Sequence, residues 1–113
     1  MEPENSNGQT EQAGTDYTWS ARVDDPSSGP PMLNVTGTGT FPTPGYRVKL
    51  YIHEPPSFNP SILLLNKVVL APTGAEPDVV TTIDTEPFQW PFNGWTQVAI
   101  FPEGTIVDVK RDP

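Results

Sequence analysis

Between Leu33 and Ile52 apolar and polar residues alternate one by one on both sides of Pro42-Thr43-Pro44-Gly45. Leu33, Val35, Gly37, Gly39 and Phe41 share one parity, and Tyr46, Val48, Leu50 and Ile52 share one parity beyond the turn. A period of two belongs to a strand half-buried in a sheet, so this stretch reads as two strands around a turn. A hairpin over Leu33–Glu54 would set Phe41 opposite Tyr46, Gly39 opposite Val48, Gly37 opposite Leu50 and Val35 opposite Ile52. A slip of one residue would turn the apolar face to solvent, so the parity is strongly specified. Gly37 and Gly39 weaken a strand, and the space they leave is expected to hold a large ring from a facing sheet, Trp19 or Trp90.

The rest of the chain is punctuated too often for long helices. Fifteen prolines and nine glycines break 113 residues into gaps of strand length. No segment sustains an i, i+3, i+4, i+7 apolar pattern, so no helix beyond one turn is expected. Seven strands are expected: Tyr17–Val23, Leu33–Phe41, Tyr46–His53, Ile62–Ala71, Val79–Thr85, Trp95–Phe101 and Thr105–Arg111. Ile62–Ala71 is apolar on both faces, as a central strand would be. Pro102-Glu103-Gly104 matches a type I turn between the last two. Short strands at this spacing predict an all-β domain, an antiparallel β-sandwich of about seven strands, immunoglobulin-like in the broad sense, with a small β-barrel as the alternative. Residues 1–15 are polar and acidic, without aromatic residues, and are expected to form a disordered tail; residues 16–113 form the single domain.

Composition excludes several classes of function. The net charge is −8, and the six basic residues, Arg22, Arg47, Lys49, Lys67, Lys110 and Arg111, are scattered. Phosphate backbones require clustered cations, so no nucleic-acid partner is expected. No apolar run exceeds the four residues of Ile62–Leu65, far short of the roughly 20 a membrane-spanning helix needs. The N-terminal residues are acidic rather than basic and apolar, the opposite of a signal peptide. Cysteine is absent and His53 is the single histidine, so neither a thiolate nor a multi-histidine zinc site is expected, and no cofactor is implied. His53 falls on the outward parity of its strand and reads as a solvent-facing residue. No nucleophile motif accompanies it, so no enzyme activity is expected. Asp24-Asp25 and the pair Asp84 and Glu86 read as turn-forming and solubilising residues, since no calcium-loop spacing surrounds them.

What remains is surface chemistry. Phe88, Trp90 and Phe92 alternate between Pro87 and Gly94, and Trp95 follows. Pro87 and Pro91 each remove a backbone donor, so this segment is expected to be a loop rather than a central strand. Its rings either plug one end of the sheet or form an exposed platform for a partner. A second candidate is the loop Glu54–Pro60, stiffened by Pro55, Pro56 and Pro60 and presenting Phe58. The candidate binding residues are therefore Phe88, Trp90, Phe92, Trp95 and Phe58. They point to a non-catalytic interaction domain with a protein or carbohydrate partner; the alternatives are a carbohydrate-binding module built on the Phe88–Trp95 cluster and a loop that inhibits a protease. Val79–Thr85 carries only Asp84 as a charge, so a homodimer through this edge is a further expectation. Asn34-Val35-Thr36 fits the N-glycosylation pattern.

Overall fold

The computed structural model describes residues 14–25 and 29–111. Residues 1–13 of the expected tail lie outside the described residues. The described chain contains no helix and eight strands: β1 (Thr15–Asp24), β2 (Met32–Phe41), β3 (Arg47–Ile52), β4 (Ile62–Leu70), β5 (Thr81–Asp84), β6 (Phe88–Pro91), β7 (Gln97–Phe101) and β8 (Thr105–Arg111). Thr15 pairs with Thr40, so β1 begins inside the segment expected to be tail.

The strands follow the order β3-β4-β7-β8-β1-β2-β5, and β6 pairs with β2 beside β5. Two pairings, β1 with β8 and β4 with β7, are parallel, so the sheet is mixed. This pairing does not confirm the antiparallel sandwich, and the small-barrel alternative fits. The two ends of the order approach each other. The Glu86 N–H donates to the Val48 carbonyl at 2.8 Å, and the Glu86 carboxylate meets the Arg47 guanidinium at 2.7 Å and the Lys49 ammonium at 3.7 Å. The sheet is thereby nearly closed into a barrel, with its seam between β3 and the β5–β6 segment.

The expected Leu33–Glu54 hairpin does not form. β2 pairs with β1 on one side and with β5 and β6 on the other, while β3 pairs with β4. Both edges of β2 are occupied, so β3 has none to join. The parity nevertheless holds: Leu33, Val35, Phe41, Val48 and Leu50 are all buried. The predicted tenant of the glycine space is half right. Trp19 is the partner of Gly37 in the β1–β2 register, and its ring lies against Gly37. Tyr17 covers Gly39. Both rings come from the neighbouring strand rather than from a facing sheet, and Trp90 lies elsewhere.

The interior falls into two apolar clusters. The larger comprises Ala21, Val23, Leu33, Val35, Leu50, Leu63, Leu65, Phe88, Val98 and Ile100. The smaller contains Phe41, Val48 and Val69, with Tyr17, Tyr46 and Ile83 against it. Between Leu65 and Val69 on β4 stands Lys67, whose side chain is only 5% exposed. Its ammonium lies 3.8 Å from the centre of the Tyr17 ring and 2.7 Å from Glu103 Oε2. Tyr17 in turn stacks on Trp19, with centroids 5.5 Å apart and planes 8° from parallel. A nearly buried ammonium is tolerated because a carboxylate and a π-face both replace its water. Burial, and then the Glu103 charge, push the Tyr17 hydroxyl up to about 12. Partial burial acts to raise the Glu103 carboxyl, but hydrogen bonds from Lys67 and from its own backbone, with the Lys67 charge, hold it below its ordinary value.

The turn that carries Glu103 differs from the type I expectation. The Gly104 N–H donates to the Ile100 carbonyl, four residues back, at 2.8 Å. Gly104 adopts φ +77°, which an L side chain rarely allows.

Candidate functional site

The register gathers one set of strand ends at one mouth of the barrel. Ile62 on β4 lies opposite Gln97 on β7, and Gln97 opposite Asp108 on β8. Arg111 lies opposite Val23 on β1, Asp24 opposite Met32 on β2, and Met32 opposite Pro91 on β6. The loops 53–61 and 92–96 therefore leave the barrel at the same end. They are tied together there: the Thr96 and Gln97 N–H groups both donate to the Ser61 carbonyl, at 2.8 and 3.3 Å. All five candidate residues come from β6 and these two loops.

Their environments differ sharply. The segment expected to be a loop is in part a strand, because Phe88–Pro91 pairs with residues 32–35 of β2. The prolines are accommodated by position. Pro87 precedes the strand and Pro91 ends it, and β6 runs for only four residues at the seam. Phe88 and Trp90 sit opposite Val35 and Leu33, both buried, and so share the inward parity. Phe88 is 8% exposed and belongs to the core, whereas Trp90, nearer the mouth, is 46% exposed. Their rings stack at 6.0 Å and 10°. Phe92 and Trp95 pack against the large core cluster from above and meet edge to face at 6.3 Å and 80°. Of the rings in the aromatic segment, Phe88 fills the core, Phe92 and Trp95 cover it, and only Trp90 is exposed.

Phe58 is entirely exposed. Its loop is nevertheless held by local hydrogen bonds. Ser57 Oγ accepts from the Asn59 N–H at 3.0 Å, Asn59 Oδ1 accepts from the Ser61 N–H at 2.9 Å, and the Asn59 carbonyl accepts from the Ile62 N–H at 3.1 Å. These are side-chain turns that Ser and Asn form readily, and they fix the backbone on both sides of the ring.

Arg111 joins the site without having been foreseen in the sequence. Its guanidinium lies 5.0 Å from the Phe92 ring centre and donates to both carboxylate oxygens of Asp25, at 3.0 and 3.3 Å. Asp25 and Arg111 are 86 positions apart, and only the parallel β1–β8 pairing brings them together. No local pattern could have announced the contact.

The remaining sequence candidates lie apart from this mouth or are otherwise engaged. His53 is half-buried rather than solvent-facing. Its Nδ1 pairs with Asn66 Oδ1 at 2.9 Å, and its ring lies 5.2 Å from that of Phe101. The outward parity failed to expose it because Asn66 and Phe101 flank it from β4 and β7. Asn34 Nδ2, the atom a glycan would occupy, donates to Asp24, and Asn34 Oδ1 accepts from Gln89. Among the described residues no group of three His, Cys, Asp or Glu side chains could hold a metal ion, and no helix is long and apolar enough to cross a membrane. Comparison with protein-family models, with curated proteins and with solved structures found no significant match.

Proposed function

We propose that this domain is a non-catalytic interaction module that binds a protein partner through the aromatic mouth of the barrel. The observation that carries the reading is Phe58, an entirely exposed ring on a loop locked by Ser57 and Asn59. A large apolar side chain carried in water on a backbone that is already ordered adds only its own rotamer freedom to the cost of entering a partner's pocket, which favours an anchor residue. Trp90 adds a second half-exposed ring, and Phe92, Trp95 and Arg111 form the floor of the same end. The environment of the single imidazole supports the non-catalytic part. It is engaged by an amide and a phenyl ring, a pairing that orients the ring and does not activate a nucleophile.

The carbohydrate alternative at Phe88–Trp95 draws less support. A sugar platform needs at least two coplanar exposed rings. The near-parallel pair has Phe88 in the core, and the other pair is close to perpendicular.

A displayed random-peptide library selected on the immobilised protein tests the proposal. Ligands recovered and titrated against variants are expected to bind Phe58→Ser or Trp90→Ser about tenfold or more weakly, as anchors do on truncation. The unfolding midpoint of Phe58→Ser should stay close to the wild type, since that ring is entirely exposed, and Trp90→Ser should still unfold cooperatively. Ligands indifferent to both substitutions would contradict the assignment of the mouth.

A further inference from the structure

On the outer face of the barrel, away from the aromatic mouth, β2 changes partners. β5 pairs with residues 38–41 and β6 with residues 32–35. The linking residues Thr85 and Glu86 turn out of the ladder. Thr85 is 5% exposed, its Oγ1 accepts from the Gly37 N–H at 2.9 Å, and its N–H donates to the Gly37 carbonyl at 2.8 Å. Thr36 is thereby left without a neighbour in the ladder on that side. The break opens a groove of about 450 Å³ lined by Thr18, Ser20, Thr36, Thr38 and Asp84, with Trp19, Gly37, Thr85 and Pro87.

The groove's polar side chains form a grid. Thr18, Thr38 and Asp84 are aligned across three strands, and Ser20 and Thr36 form the next row. Cross-strand neighbours stand about 5 Å apart and rows about 7 Å apart. None of these five side chains has a hydrogen-bond partner among the described residues, whereas Asn34, in the row nearer the mouth on the same face, is bonded to Gln89 and Asp24.

We infer that this groove binds a neutral saccharide. Each hydroxyl can donate and accept, and the Asp84 carboxylate accepts, which matches the paired hydroxyls of a sugar. No cation lines the groove, so an anionic ligand would meet only the Asp84 charge. Pro87 supplies an apolar wall for the C–H face of a ring, and the volume lies in the range of small-ligand sites. Chain folding creates the site, because the grid needs β5 beside β2 and the hollow needs the break at Thr85.

Amide NMR of the full chain, titrated separately with cello-, xylo-, manno- and maltotetraose and with inorganic phosphate, tests the assignment. At least one sugar is expected to shift the amides of Thr18, Ser20, Thr36, Thr38 and Asp84, and phosphate is expected to leave them in place. Asp84→Ala should weaken that sugar about tenfold or more, the loss of one hydrogen bond to a charged group. Thr36→Val should weaken it as well, and Phe58→Ser should leave it unchanged, which separates this site from the aromatic mouth. The inference is overturned if no sugar shifts these amides, if phosphate shifts them equally, if the shifts fall only around Phe58 and Trp90, or if Asp84→Ala binds as the wild type does.

Discussion

Gly37 and Gly39 leave no room for a side chain. A Cβ at Gly37 would overlap the Trp19 ring and stand 2.8 Å from the Thr18 carbonyl oxygen, and a Cβ at Gly39 would stand 2.7 Å from the Tyr17 ring. Backbone cannot retreat as a flexible side chain can, so Gly37→Ala is expected to cost about 1–3 kcal/mol, measured as a lowered denaturant midpoint at unchanged m-value. The ladder that Lys67 makes with Tyr17 and Glu103 carries a pH dependence. The Glu103 carboxyl is held below its ordinary value in the folded chain. Its contribution to stability is therefore complete above the unfolded value, about 4.3, and is lost as pH falls through the lower folded value. Acid titration of the unfolding midpoint should show this loss, and Glu103→Gln should flatten that part of the curve. An identical acid limb in the variant would remove the role assigned to the Lys67 pair.

At the level of elements, the joint between β5 and β6 shapes the outer groove proposed as a saccharide site. Thr85 closes that joint through two hydrogen bonds to Gly37. Thr85→Val keeps the shape and deletes the acceptor, leaving the Gly37 N–H unsatisfied. The expected cost is about 1–3 kcal/mol, with faster hydrogen exchange at the Gly37 amide; unchanged exchange there would mean that the Thr85 hydroxyl does not hold the joint. The seven expected strands correspond to β1–β5, β7 and β8, because each segment carries a local strand signal: alternation or β-branched residues in most, and in Ile62–Ala71 a short apolar run between turn residues. β6 was missed because its signal is contradictory. Aromatic alternation favoured a strand and two prolines opposed it, and the observed answer is a four-residue strand that places Pro91 at its end.

For the whole molecule, the open question is association. β5 is the last strand in the pairing order, and Val79 and Val80 beside it are 56% and 72% exposed. Apolar residues beside an edge favour pairing with a second copy, and a net charge of −8 opposes it. Light scattering is expected to show a dimer that grows as salt screens the charge and that Val80→Lys abolishes; a monomer at every salt concentration would dismiss the edge contact. The sequence by itself determined the all-β character, the pleat parity of Leu33–Ile52 and the identity of the aromatic candidates, since each follows from spacing along a few residues. Tertiary structure alone decided that β2 pairs with β1 instead of β3, that Trp19 and Tyr17 occupy the glycine space, and that Phe58, Trp90 and Arg111 share one mouth. Strand partnership is settled by competition for edges among segments far apart in the chain, and local alternation is blind to that competition.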